Sequence, residues 1–214
     1  MRLRAPLALA AGFGSGSVPL SNLAAVWRTG TDLRRVGSGT VSGTALARVA
    51  GVGPLIAVGV FEVAKGAVGP ALAGQDHPLV AALAGGCAVA GHNWSPWLRG
   101  AGGRGISPAM GALIVTAPAG AALLLAGLAC GRLAGETALG SLAADALLVP
   151  LVRRLHGRDA AAAAMAVLVP MVVKRIVGNA APAQGGPAVY LSRFLFDRDT
   201  WVKAGGKPGA LRWR

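Results

Sequence analysis

The chain is short of charge, and of acidic residues above all. Asp, Glu, Lys and Arg supply 14% of its 214 residues, 8 acids against 21 bases. A soluble globular domain carries about 25% charged residues, so an ordinary water-facing surface is excluded. Cysteine is nearly absent. Cys87 and Cys130 both lie inside apolar stretches, form no CxxC pair and have no His cluster nearby. That excludes a disulfide scaffold and a Cys/His metal site, and leaves two small buried thiols. There is no P-loop, dinucleotide fingerprint, GxSxG elbow or HExxH zinc motif.

What fills the chain is apolar. Hydrophobic residues make up 54% of it, and mean hydropathy is +0.57. Residues 77–98 and 105–131 contain no Asp, Glu, Lys or Arg. A helix needs roughly 20 apolar residues to cross the hydrocarbon core. Abundant Gly and Ala suit close helix packing in a bilayer. The pattern predicts an all-α, polytopic transmembrane bundle, with helices over 5–27, 53–73, 79–98, 106–117, 119–132, 138–154 and 160–177. That is about seven spans, or six if one long helix runs through Pro118. The opening MRLRAPLALAAGFGSGS has the look of a signal peptide. Pro19 to Trp27 continue its apolar run, so a retained first helix is expected.

The net charge of +13 does not call for a nucleic acid. The basic residues flank the apolar spans, as in cytoplasmic loops near anionic lipid. Arg28, Arg34, Arg35 and Arg48, then Arg99 and Arg104, then the tail fall on one side if there are seven spans. That places the N-terminus opposite, together with Arg2, Arg4, Arg153, Arg154 and Arg158, which run against the rule. A division into a transmembrane part, 1–177, and a basic cytoplasmic tail, 178–214, follows, with 190–196 either a short surface helix on the headgroups or part of a partly ordered tail.

Two loops carry chemistry. Residues 37–44 read GSGTVSGT. Glycines let successive amides converge on an anion, and Ser38, Thr40, Ser42 and Thr44 add hydroxyls. Arg34, Arg35 and Arg48 add charge that suits a phosphate. A plain flexible Gly/Ser loop fits as well. Residues 99–107 read RGAGGRGIS, an anion loop or a membrane-exit turn. His92 and Asn93 precede it, at a boundary where polar groups are functional candidates or interfacial hydrogen-bonders. Glu62 and Lys65, three apart in an apolar helix, share a face. They form a structural ion pair or line a polar cavity. Asp145 calls for an Arg from another segment. These residues support anion handling and leave enzyme and transporter both open.

Taken in order, the motifs resemble those of the bacterial acyl-phosphate:glycerol-3-phosphate acyltransferases, the PlsY family. Gly16-Ser17-Val18-Pro19 stands where that family has Gly-Ser-Ile-Pro. Asp32-Leu33-Arg34, Gly37 through Ala45 and Arg48 follow its first signature. Glu62, Lys65 and Gly66 match its D-x-x-K-G, and Gly91-His92 through Gly105 match its second signature, with the spacing from His to Gly-Gly kept. The resemblance covers roughly residues 12–110. Thr40 and Ala45 replace two asparagines of the first signature, and Ala101 and Arg104 replace two lysines of the second. Of the third signature only Lys174-Arg175-Ile176-Val177-Gly178 is similar; its His, Asn and Glu have no counterparts.

The resemblance implies acyl transfer from acyl phosphate to the primary hydroxyl of glycerol 3-phosphate at the inner membrane, in phospholipid biosynthesis. The products would be lysophosphatidic acid and phosphate, formed without acyl-CoA, cofactor or metal. The partners are those substrates and membrane lipids. Ser38 and His92 would be catalytic, His92 orienting a substrate or relaying a proton. Gly37, Gly39, Thr40, Arg48, Gly102, Gly103, Arg104 and Gly105 would bind phosphate, with Glu62 and Lys65 lining the site. Two other readings stand beside this one: a phosphate-binding relative without turnover, and a small anion transporter.

Overall fold

A computed structural model describes residues 4–180 and 187–198. Among these residues every regular element is helical: α1 (Arg4–Ser17), α2 (Leu20–Thr29), α3 (Gly43–Ala50), α4 (Val52–Ala73), α5 (Pro78–Asn93), α6 (Ile106–Thr116), α7 (Pro118–Leu133), α8 (Thr137–Val177) and α9 (Ala188–Phe196). Short 3₁₀ turns, Leu33–Arg35 and Pro96–Leu98, punctuate the loops.

Several boundaries differ from the sequence reading, each for a local reason. The helix expected over 5–27 breaks between α1 and α2, because Pro19 has no N–H to continue the ladder. The long loop at 28–51 contains α3, capped by Ser42, whose hydroxyl accepts from the Ala45 N–H at 3.3 Å. The helix expected over 79–98 stops at Asn93, just ahead of Ser95-Pro96, where the residue before proline avoids helical geometry. A break at Ala117 separates α6 from α7. In α8, Gly157 adopts φ 85°, ψ −168° and divides the helix into arms 137–156 and 158–177. The arms fold back on each other: Arg175 Nη1 donates to Ser141 Oγ at 2.9 Å and lies 3.9 Å from Asp145.

Large apolar side chains cover much of the outside of the bundle, and several charged and polar ones are buried among its apolar core. Ile56, Val60, Phe61, Leu79 and Leu125 are exposed, while Glu62, Lys65, Asn93, Lys174 and Arg175 are buried. The helices meet through small residues. A Cβ on Gly16 would collide with the Ala88 carbonyl, one on Gly66 with that of Pro108, and one on Gly127 with that of Gly140. Such contacts let backbones approach closely where lipid offers no hydrophobic drive between helices. By length and composition alone, α4 and α8 are long and apolar enough to cross a membrane. At 1.5 Å per residue α6 is only about 16 Å long.

Candidate active site

The interruption between α1 and α2 organises the buried polar cluster. Freed from a helical partner, the Val18 carbonyl accepts from Lys65 Nζ at 2.7 Å. Lys65 Nζ also lies 2.7 Å from Glu62 Oε2, one helical turn earlier on α4. Ser21, on the first turn of α2, donates to Glu62 Oε1 twice, from its N–H at 3.1 Å and its hydroxyl at 2.9 Å. His92, at the end of α5, brings Nδ1 to 3.3 Å from Glu62 Oε2. One carboxylate thus ties three helices together and holds the imidazole. Glu62 is 4% and Lys65 7% exposed, so the pairing replaces lost water.

The two Gly-rich loops come together beside this cluster. The Val41 N–H donates to the Gly102 carbonyl at 3.0 Å, and the Gly103 N–H to the His92 carbonyl at 3.2 Å. Asn179, just past α8, joins both loops. Its Nδ2 donates to Gly39 O at 2.8 Å and Gly102 O at 2.9 Å, and its Oδ1 accepts from the Gly102 N–H at 3.0 Å. Gly37 (φ 57°) and Gly39 (φ 69°) need the left-handed backbone region that glycine enters freely. Underneath, Lys174 Nζ donates to Gly100 O at 3.2 Å and stacks over Trp94, 5.2 Å from its ring centre.

A cavity of about 620 Å³ opens between the loops and the helices. Of the residues picked from the sequence, Ser38, Thr40, Arg48, Glu62, His92, Arg104 and Gly105 line it. Ser38 and Thr40 place their hydroxyl oxygens 3.0 Å apart. Arg48 makes no side-chain hydrogen bond or ion pair among the described residues and so is ready for an anion. Arg104 is engaged: Nη1 donates to Lys174 O at 2.7 Å and Nη2 meets Asp197 Oδ1 at 2.6 Å.

Gly37, Gly39, Gly102, Gly103 and Lys65 are not on the cavity wall. The Gly102 and Gly103 N–H groups are spent on Asn179 and His92, and a Cβ on Gly103 would strike the His92 ring. These glycines pack the loop against His92. Arg34 and Arg35 also lie off the cavity. Arg34 is held by Asp32 at 2.6 Å, and that bond keeps the Asp32 carboxyl below its ordinary range.

Sequence reasoning missed Ser21, Asn179, Glu136, Arg175, Asp197 and Arg198. Asn179 had one available signal, its place directly after Gly178. Leu55, Val58, Ile106 and Leu128 supply an apolar wall to the same cavity. No group of three His, Cys, Asp or Glu side chains placed to hold a metal occurs among the described residues.

The chain is similar in sequence and fold to known proteins. The family model described as glycerol-3-phosphate acyltransferase matches residues 6–181. A glycerol-3-phosphate acyltransferase of Synechococcus sp. (strain CC9902) is 35% identical over 176 residues, 81% of this chain and 88% of that protein. Glycerol-3-phosphate acyltransferase 4 of Dehalococcoides mccartyi (strain CBDB1) is 40% identical over 120 residues, 54% of this chain but only 50% of that relative's length. The crystal structure of PlsY (YgiH), an integral membrane glycerol 3-phosphate acyltransferase, in its glycerol 3-phosphate form, superimposes with a TM-score of 0.72. It is 22% identical and aligned over 80% of this chain and 88% of that one, a likeness of fold. On the match to residues 6–181 and the near full-length Synechococcus relative, the chain belongs to the glycerol-3-phosphate acyltransferase family.

Proposed function

We propose that the chain is a membrane acyltransferase that moves an acyl group from acyl phosphate to glycerol 3-phosphate. The products are lysophosphatidic acid and phosphate. The observation that carries this reading is the cavity itself. It puts an unengaged arginine, Arg48, and the Ser38 and Thr40 hydroxyls in one space with a histidine held by a buried carboxylate.

The chemistry needs little beyond positioning and charge. Arg48, with Ser38 and Thr40, holds one substrate phosphate, and Arg104 the other; both substrates carry one. With Nδ1 turned to the Glu62 carboxylate, 3.3 Å away, His92 keeps Nε2 as its acceptor. The primary hydroxyl of glycerol 3-phosphate attacks the acyl carbonyl carbon. A C–O ester bond forms, the bond from that carbon to the phosphate oxygen breaks, and the hydroxyl proton passes to His92 and on to the departing phosphate. The acyl chain lies along Leu55, Val58, Ile106 and Leu128.

The protein sits in the cytoplasmic membrane as a multi-pass bundle, in which α4 and the two arms of α8 are long enough to cross it and the short α6 reaches only part of its depth. The cavity end faces the cytoplasm, in keeping with Arg48 and Arg104 on its wall and with Arg28, Arg34, Arg35 and Arg99 close to them in sequence. Residues 1–177 form the transmembrane unit, and 178–214 the basic cytoplasmic segment.

Purified protein in detergent, given acyl phosphate and labelled glycerol 3-phosphate, is expected to release labelled lysophosphatidic acid and an equal amount of phosphate. Acyl-CoA in place of acyl phosphate should give no product. Folded protein that binds glycerol 3-phosphate yet yields nothing with acyl phosphate would overturn the reading, in favour of a different acceptor or a relative without turnover.

A further inference from the structure

The family match ends at residue 181, but the cavity wall does not: Phe196, Asp197 and Arg198 belong to it. Two buried arginines fasten α9 to the bundle. Arg193 donates from Nη1 to Val177 O at 2.5 Å and from Nη2 to Ala180 O at 2.9 Å. Arg175 donates from Nε to Phe194 O at 2.7 Å and from Nη2 to Leu195 O at 3.3 Å. The last carbonyls of a helix lack helical partners, and these bonds fix that end of α9 at the cavity. The chain then turns sharply. Asp197 adopts φ 54°, a left-handed conformation unfavourable for a residue with a Cβ. The turn delivers its Oδ1 to 2.6 Å from Arg104 Nη2. Next to it, Arg198 Nη2 meets both oxygens of Glu136, at 2.8 and 2.9 Å.

The geometry points to Asp197 as an internal competitor for phosphate: its carboxylate takes the edge of Arg104 that a substrate phosphate needs, and so sets how tightly the cavity holds phosphate dianions. This rests on the reading of Arg104 as a phosphate ligand. A guanidinium binds carboxylate and phosphate through the same N–H fork. Nη1 of Arg104 is committed to the Lys174 carbonyl, which leaves the Nε–Nη2 edge for an anion; Asp197 is on Nη2, and Nε is buried without a hydrogen-bond partner among the described residues. A phosphate brings more charge and a further oxygen, so it displaces the carboxylate at a cost set by the pair. The Asp197 side chain is 29% exposed and that of Arg104 14%, so the cost is modest. It corresponds to about two- to fivefold in affinity, the range for part-exposed ion pairs.

The test uses the full chain in detergent and Asp197→Asn, which keeps the size of the side chain and removes its charge. Inorganic phosphate is titrated by calorimetry with no acyl donor present. The variant is expected to bind phosphate about two- to fivefold more tightly. KM for a phosphate-bearing substrate should fall by a similar factor at nearly constant kcat, and Asp197→Glu should restore wild-type binding. Weaker binding, or a lower kcat/KM, in Asp197→Asn would mean that the carboxylate orients Arg104, and would overturn the proposal. Unchanged binding, or no phosphate binding by either protein, would overturn it too. The titration needs no turnover. A wild-type protein that binds phosphate but transfers no acyl group therefore contradicts the transferase reading and not this one.

Discussion

His92→Ala should lower kcat by about 10²- to 10⁴-fold, the usual contribution of a general base, and leave the protein folded. The imidazole lines the cavity, and its Nδ1 lies 3.3 Å from Glu62 Oε2. Glu62 is itself held by Lys65 and by two bonds from Ser21. The ring therefore has one orientation, and removing it takes away the proton acceptor without touching Arg48, Ser38 or Thr40. KM for glycerol 3-phosphate should change far less than kcat. His92→Gln, which keeps a hydrogen-bonding side chain of similar reach but no base, should be nearly as slow as His92→Ala. Steady-state kinetics on both variants, with glycerol 3-phosphate binding measured separately, checks this. A kcat within about threefold of wild type in both, well short of a general base's contribution, would remove His92 from the chemistry and leave the released phosphate as the base.

Glu62→Ala should destabilise the bundle by about 3–5 kcal/mol, the cost of leaving one partner of a buried pair uncompensated. The orphan is Lys65, 7% exposed and reaching the Val18 carbonyl at the α1–α2 break. Pairs of this kind can often be replaced together by apolar residues at little cost. Glu62→Ala combined with Lys65→Met is therefore expected to recover most of the lost stability. Activity should not return with it, because His92 has lost the carboxylate that orients it. Denaturant unfolding in detergent and acyl transfer, measured on the single and the double variant, separate the two roles of Glu62. Activity rising in step with stability would make the role purely structural.

The sequence spoke most clearly where the physics is local. The ends of the long uncharged stretches, Pro118 as a break and the gap between the helices expected over 138–154 and 160–177 all lie close to where the structure changes direction. Glu62 and Lys65 three apart in an apolar helix pointed to the ion pair, and the structure adds His92 to it at 3.3 Å. The resemblance to the PlsY family rested on residues 12–110, and the family match extends over residues 6–181. What was not legible depends on distant segments meeting. Gly102 and Gly103 looked like phosphate amides because Gly/Arg loops often are. Only the fold reveals Asn179 taking the Gly102 N–H from 77 residues away. Arg104 is expected from the sequence to bind phosphate, and only the fold shows it meeting Asp197. Helix α3 was hidden in a Gly/Ser-rich loop, since its capping serine looked like one more hydroxyl among several.

Glycerol 3-phosphate is expected to bind and react in the cavity between the two loops. An experimental structure of the full chain with glycerol 3-phosphate bound tests it most directly. The ligand's phosphate is expected on Arg48 or Arg104, within reach of Ser38 and Thr40, with its primary hydroxyl directed at His92. Ligand found instead in the second cavity, about 430 Å³ beside Trp94, Lys174 and Tyr190, with the space around His92 unoccupied, would contradict it.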